Sequence, residues 1–284
     1  MFAKLLASAL AAAAAVSAEP APGYSGWTNV WAETFDGAAG ASVNTGNWNI
    51  ITGLQVNDEV QTYTTSNQNL QLSGGATVQI VPRKDASTGA WTSARIESTY
   101  TFAPVAGSQT MAEAMIRFGT NPQANKQGIW PAFWMLGASI RSGTAWPECG
   151  EIDVMETVNG ILTGHGTIHC DVYPNGACDE PNGIGGPVTL PDDSWHTWRA
   201  VWDRRASVWT GETLTWYLDG NQFFQVSGST VGSQSVWNTL AADPVYFILN
   251  VAVGGDWPGP PNDSTLDGYG SMMEVAYVAQ YVAS

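Results

Sequence analysis

Twelve short runs rich in β-branched and aromatic residues recur between residues 48 and 281, each closed by a cluster of Gly, Pro, Asn or Asp. They span Trp48 to Ile51, Leu70 to Val81, Ala94 to Tyr100, Met111 to Phe118, Trp130 to Leu136, Gly150 to Thr157, Gly166 to Cys170, Trp195 to Trp202, Thr213 to Leu218, Phe223 to Val226, Val245 to Val253 and Met273 to Tyr281. Short runs separated by turn chemistry predict strands, and this many predict an all-β chain built as a two-sheet antiparallel sandwich. Asp219-Gly220, between two of the runs, predicts a two-residue hairpin turn. Helical periodicity is almost absent after residue 18. The 31 Gly and 15 Pro supply turns, and 14 Trp against only 12% charged residues leave aromatic surface to spare. No linker, repeat or low-complexity break follows Gly23, so residues 19–284 are expected to form one domain.

Residues 1–18 have the form of a secretory signal: Lys4, an apolar run from Leu5 to Val16, and the small-residue cleavage site Val16-Ser17-Ala18. That run is shorter than the roughly 20 residues of a membrane span. Tyr277 to Ser284 lacks the hydrophobic tail of a lipid-anchor signal. The expectation is a secreted, extracellular protein with no membrane partner. A net charge of −15 also makes nucleic acid a poor partner and leaves a neutral polymer compatible. Asn262-Asp263-Ser264 is a glycosylation sequon suited to a surface loop. Three Cys in a secreted chain allow one disulfide, and Cys170 with Cys178, flanking a loop that holds Pro174 and Gly176, is the expected pair.

The stretch Cys149-Gly150-Glu151-Ile152-Asp153-Val154-Met155-Glu156-Thr157 alternates three carboxylates with apolar residues, the period of a half-buried strand. Its parity breaks at the end. Glu151 and Asp153 share a face, but Glu156 lies five residues from Glu151, and a regular strand would turn it into the core. An ionised carboxylate there would cost several kcal/mol (on the order of 2–7) or be driven neutral. A β-bulge at Val154-Met155 restores the parity and brings all three acids to one side. Leaning together, the two Glu side chains can bring their carboxyls to the ~5–5.5 Å of a retaining glycosidase, while Asp153, shorter and between them, suits orienting Glu151 and raising the pKa of the acid.

Asn159-Gly160 marks a turn, after which Gly164 to Cys170 can run back antiparallel. With the bulge counted, hairpin pairing sets His169 opposite Glu151, Thr167 opposite Asp153 and His165 opposite Glu156. Cys149 then points to the same side as Glu151 and Cys170 to the other, which argues against joining those two. On Gly128 to Leu136, Trp130 and Trp134 share one face and Phe133 and Met135 the other. Periodicity leaves open which face is core.

Glu-Ile-Asp-Val-Met-Glu resembles the active-site signature of glycoside hydrolase family 16 in its bulged, laminarinase-type form. The resemblance implies a curved, concanavalin-like β-jelly-roll sandwich that hydrolyses β-1,3-glucan or mixed-linkage β-1,3-1,4-glucan with retention, as an endo-1,3(4)-β-glucanase. Glu151 would be the nucleophile, Glu156 the acid/base and Asp153 their helper. Trp130-Pro131-Ala132-Phe133-Trp134 is similar to a family strand whose Trp side chains line the glucan cleft, where indole faces can stack on sugar C–H faces. Thr167-Ile168-His169 is similar to the family's Thr-x-His strand. Asn57-Asp58-Glu59 and Thr92-Ser93-Ala94-Arg95 resemble segments whose Asn and Arg contact sugar, although Ala94 stands where the family has Gly. Asn57 as a loop cap and Arg95 as the partner of an acid are the ordinary alternatives. Asn250 to Gly259 resembles a further segment, with Trp257 as a platform at the cleft rim.

No cofactor is implied, and the partner would be β-glucan, bound by a monomer. Many relatives hold a structural calcium through an Asp of the C-terminal strand, where Ala276 stands here. Calcium needs several carboxylate oxygens, so no metal is expected, with Glu33 and Asp36 as possible substitutes. His165, His169 and His196 form no zinc spacing. Two other functions fit a sandwich: a non-catalytic β-glucan-recognition module, which could dispense with the acids, and a cell-wall transglycosylase, which uses the same two Glu with a sugar acceptor.

Overall fold

The computed structural model describes residues 20–284; the leader expected at 1–18 lies outside the described residues. Two antiparallel sheets stack to form a β-jelly-roll sandwich. One has seven strands in the order Ile184–Thr189, Thr163–His169, Glu151–Glu156, Ile129–Gly137, Val245–Val253, Arg95–Ser98, Trp48–Ile50. The other runs Asn221–Ser227, Thr213–Leu218, His196–Asp203, Gln109–Phe118, Met273–Ala283, Val78–Ile80, Leu70–Leu72, and Trp27–Glu33 pairs with Met273–Ala283. Asp219 and Gly220 both adopt positive φ and join Leu218 to Asn221, as a two-residue hairpin requires.

The core lies between the sheets. Phe133, Met135, Ile152, Ile168, Phe247 and Leu249 come from the seven-stranded sheet and meet Trp198, Trp202, Trp216, Ala112, Ala114 and Ile116 from its partner, all fully buried. Each buried Trp is worth about 4–6 kcal/mol of transfer free energy before the entropy of ordering the chain is subtracted. Because side chains alternate, burying Phe133 and Met135 turns Trp130 and Trp134 to the open face of the seven-stranded sheet. That settles what periodicity left open.

Four differences from the sequence expectation have local causes. Leu70–Val81 is a hairpin, not one strand, because Gly74 and Ala76 take positive φ between Leu70–Leu72 and Val78–Ile80. Trp27–Glu33 and Ile184–Thr189 carry too little apolar alternation to stand out. A small sheet of Gln61–Tyr63, Trp91–Ser93 and Arg83–Lys84 is made of strands of two or three residues. Gln234–Ala241 is a helix, burying Trp237, Leu240 and Ala241 at i, i+3 and i+4, in a segment too short for a periodic signal.

Candidate active site

The bulge is present. Glu151 pairs with His169, Asp153 with Thr167 and Glu156 with His165, and the register shifts between Asp153 and Glu156. On the other flank Met155 faces Phe133 while Asp153 faces Trp134, so Val154 is the extra residue. A bulge releases backbone groups from the ladder, and a buried carbonyl left unpaired costs about 1–3 kcal/mol. Trp216 of the opposite sheet answers this by donating its buried indole N–H to the Asp153 carbonyl at 2.7 Å. Room for that indole comes from Gly166, where a Cβ would lie 2.4 Å from Trp216 Cδ1.

The three acids differ in their surroundings. Glu156 accepts a hydrogen bond from Trp130 Nε1 at 2.9 Å. Burial nevertheless pushes its carboxyl up to about 7, with the Glu151 charge adding to the rise and Trp130 and His169 opposing it. Burial also raises Glu151, but three groups pull it back: the His169 charge, the Trp146 indole N–H at 3.0 Å, and Arg95. Asp153 is raised well above the usual carboxylate range, first by burial and then by Glu156, Glu151 and Glu180. Its Oδ2 is buried without a hydrogen-bond partner and lies 3.5 Å from His169 Nε2. Asp153 is thus the neutral member, Glu156 the acid poised near neutrality, and Glu151 the carboxyl best equipped to ionise.

Glu151, Asp153 and His169 each bring a ligand atom within 4.8 Å of the others, the one such group among the described residues. Glu33, a candidate calcium substitute, has its carboxylate occupied by the Phe35 N–H at 3.0 Å and Asn47 Nδ2 at 2.8 Å. Asp36 accepts from Thr34 Oγ1 at 2.9 Å, and Ala276 is buried beside Tyr277.

Two cavities, about 280 and 600 Å³, meet over the acids and share Asn57, Trp130, Trp146, Glu151 and Glu156. Arg95 and Trp134 line the smaller, and His169 and Trp257 the larger. The structure therefore brings every site residue picked out in the sequence to one cleft. Arg95 pairs with an acid, Glu97 at 2.7 Å, and lines the cleft with its guanidinium stacked 4.7 Å from the Trp134 ring centre. Asn57 sits at positive φ and accepts the Asp256 N–H at 2.8 Å, tying its loop to that of Trp257. Trp257 is 44% exposed and meets Trp130 and His165 edge-on.

Three neighbours were not anticipated: Trp146 against Glu151, Asn250 accepting from Trp134 Nε1 at 2.7 Å, and Glu180 against His169. Trp146 and Glu180 lie in loops without periodicity; Asn250 stood in a quoted segment but as one polar residue in an apolar strand. Cys170 and Cys178 are joined in a disulfide. Cys149 lies on the Glu151 side but is buried with Leu136, Tyr246 and Ile248 beneath the cleft.

Two carboxyls on one face of an aromatic-walled cleft, Glu156 raised to about 7 and Glu151 pulled back by His169, Trp146 and Arg95, suit acid-assisted displacement at an acetal carbon. Known proteins with this sandwich point the same way. A family model described as the XgeA-like, catalytic GH16 domain matches residues 42–180. The crystal structure of an endo-1,3-beta-glucanase from Streptomyces sioyaensis superposes with a TM-score of 0.87 at 38% identity, covering 94% of this chain and 99% of that one. A beta-glucanase from Rhodothermus marinus is 26% identical over 90% of this chain and 85% of its own length. Glucan endo-1,3-beta-glucosidase A1 from Niallia circulans is 29% identical over 92% of this chain, which spans only 38% of that longer protein. The chain belongs to glycoside hydrolase family 16.

Proposed function

We propose that this protein is a secreted, retaining endo-β-glucanase acting on β-1,3-glucan, mixed-linkage β-1,3-1,4-glucan or both. The observation that carries the reading is the bulge that puts Glu151 and Glu156 on one open face. Glucan lies along the cleft, its sugar faces against Trp130, Trp134 and Trp257, with polar contacts from Asn57, Arg95 and His169. Glu151 attacks the anomeric carbon while Glu156 protonates the departing oxygen; Glu156, now ionised, then takes a proton from the water that releases the glycosyl-enzyme. The substrate class is supported by the names of three similar proteins, an endo-1,3-beta-glucanase, a beta-glucanase and a glucan endo-1,3-beta-glucosidase. A cleft open at both cavities supports internal cutting, and the leader-like residues 1–18 together with a disulfide support export.

Release of reducing ends from laminarin, lichenan, carboxymethylcellulose and agarose tests this. Laminarin or lichenan should be cut, and Glu151→Gln should lower the rate by roughly 10⁴-fold or more while glucan is still bound. A variant as active as the parent would refute the assignment, and a parent that binds laminarin without cutting it would favour a recognition module.

A further inference from the structure

Glu180 is the most deeply buried carboxylate near the cleft that the mechanism leaves unused. Its side chain has no exposure to solvent. Oε1 accepts the Cys170 backbone N–H at 2.9 Å, and Oε2 lies 2.8 Å from His169 Nδ1. A buried carboxylate costs several kcal/mol (on the order of 3–5) unless a cation answers it, and His169 is its only cationic neighbour among the described residues. The other ring nitrogen of His169 faces the acids, with Nε2 3.5 Å from Asp153 Oδ2. The chain is folded so as to make this contact. The Cys170–Cys178 disulfide closes the loop, and Asn175 and Glu180 exchange backbone hydrogen bonds at 2.8 and 2.6 Å, bringing residue 180 back onto residues 169 and 170.

We propose that Glu180 is a positioning residue: held by the disulfide-closed loop, it fixes the His169 ring and keeps a positive charge beside Glu151, so that the nucleophile is ionised among three other carboxyls. The proposal rests on the assignment of Glu151 as nucleophile. The groups facing His169 are Glu151, Asp153 and Glu156 from the adjacent strand, Glu180 from the loop, and the uncharged Trp146 ring at 5.8 Å. Burial alone would lower the imidazole, but the hydrogen bond to Glu180 and the charges of Glu151, Glu180 and Glu156 outweigh it and lift the ring to about 9. Without such a charge, burial would favour a protonated, unreactive Glu151.

The test is ring-resolved NMR titration of the three histidines in the full chain, alongside kinetics on laminarin, for the parent, Glu180→Gln and Glu180→Asp. Gln keeps the shape and a hydrogen-bond acceptor but removes the charge. In the parent His169 should remain protonated through neutrality, while burial lowers His165 below its usual value. Glu180→Gln should drop the His169 midpoint by at least about one pH unit and lower kcat on the order of 10- to 100-fold with KM little changed. Glu180→Asp should recover part of both. A merely structural Glu180 would lower the melting temperature and leave midpoint and kcat in place, and either one unmoved in folded Glu180→Gln overturns the proposal. Should that variant not fold, Glu180→Asp decides: a His169 midpoint and a kcat both below the parent's support the proposal, and a midpoint equal to the parent's overturns it. The titration needs no glucan, so a parent that cuts no glucan would refute the hydrolase reading and leave the ring measurement to judge Glu180.

Discussion

Trp130 couples two jobs at the scale of a single residue. Its ring walls both cavities, and its indole N–H steadies the ionised form of Glu156. Glu156 must be protonated to act as an acid, so kcat/KM should fall as pH rises through about 7, and fall on the acidic side as Glu151 is protonated. Trp130→Phe keeps an aromatic platform but removes the donor, which makes the carboxylate less stable. The alkaline limb should therefore move up by roughly half to one pH unit, with a higher KM from the smaller ring. A pH–rate profile with an unmoved alkaline limb would show that another group sets it. Glu151, Asp153, Glu156 and His169 were legible in the sequence because strand parity fixes where a side chain points, whereas for Trp130 and Trp134 parity fixed only a shared face and the resemblance to the family strand chose the cleft. Trp146 and Glu180 were not, because their contacts depend on how irregular loops fold over the sheet.

The bulge is the element on which the site turns, and one extra residue, Val154, accounts for it. A side-chain period of two means that one residue more or less flips everything beyond it. Deleting Val154 should leave a regular ladder that still pairs Glu156 with His165, so the variant should fold and retain hydrolysis within about 100-fold of the parent. Inserting one Ala after Val154 should instead let the strand alternate regularly without a bulge but carry Glu156 two residues farther from Glu151, roughly 6–7 Å out of its place opposite His165, and abolish activity. An active insertion variant, or an inactive but well-folded deletion variant, would contradict this role for the bulge. The irregularity could be read in advance because a regular strand would have buried a charge. The Leu70–Val81 hairpin has no periodic signature because its apolar alternation resumes on both sides of the turn, and Gln234–Ala241 has little because a helix of eight residues offers only two turns of pattern.

At the scale of the molecule, the two sheets are joined at the site itself. Trp216 belongs to the eight-stranded sheet, yet its N–H holds the Asp153 carbonyl of the other, across 63 residues of sequence. Trp216→Phe would keep most of the packing and strand that carbonyl in the core. Denaturant unfolding should show a loss of about 1–3 kcal/mol, and kcat should fall with it because the bulge loses its anchor. An unchanged stability would mean that the carbonyl finds another partner. The sandwich class followed from short runs and turn residues alone, whereas this cross-sheet bond had no sequence signature, since a Trp in a core strand looks alike with or without a partner for its N–H. The account as a whole stands on two glutamates flanking one glycosidic bond closely enough for direct attack. Proton NMR of the first sugars released from laminarin measures this most directly: retention predicts that the β-anomer appears first and the α-anomer only later by mutarotation, and an α-anomer formed first would contradict it.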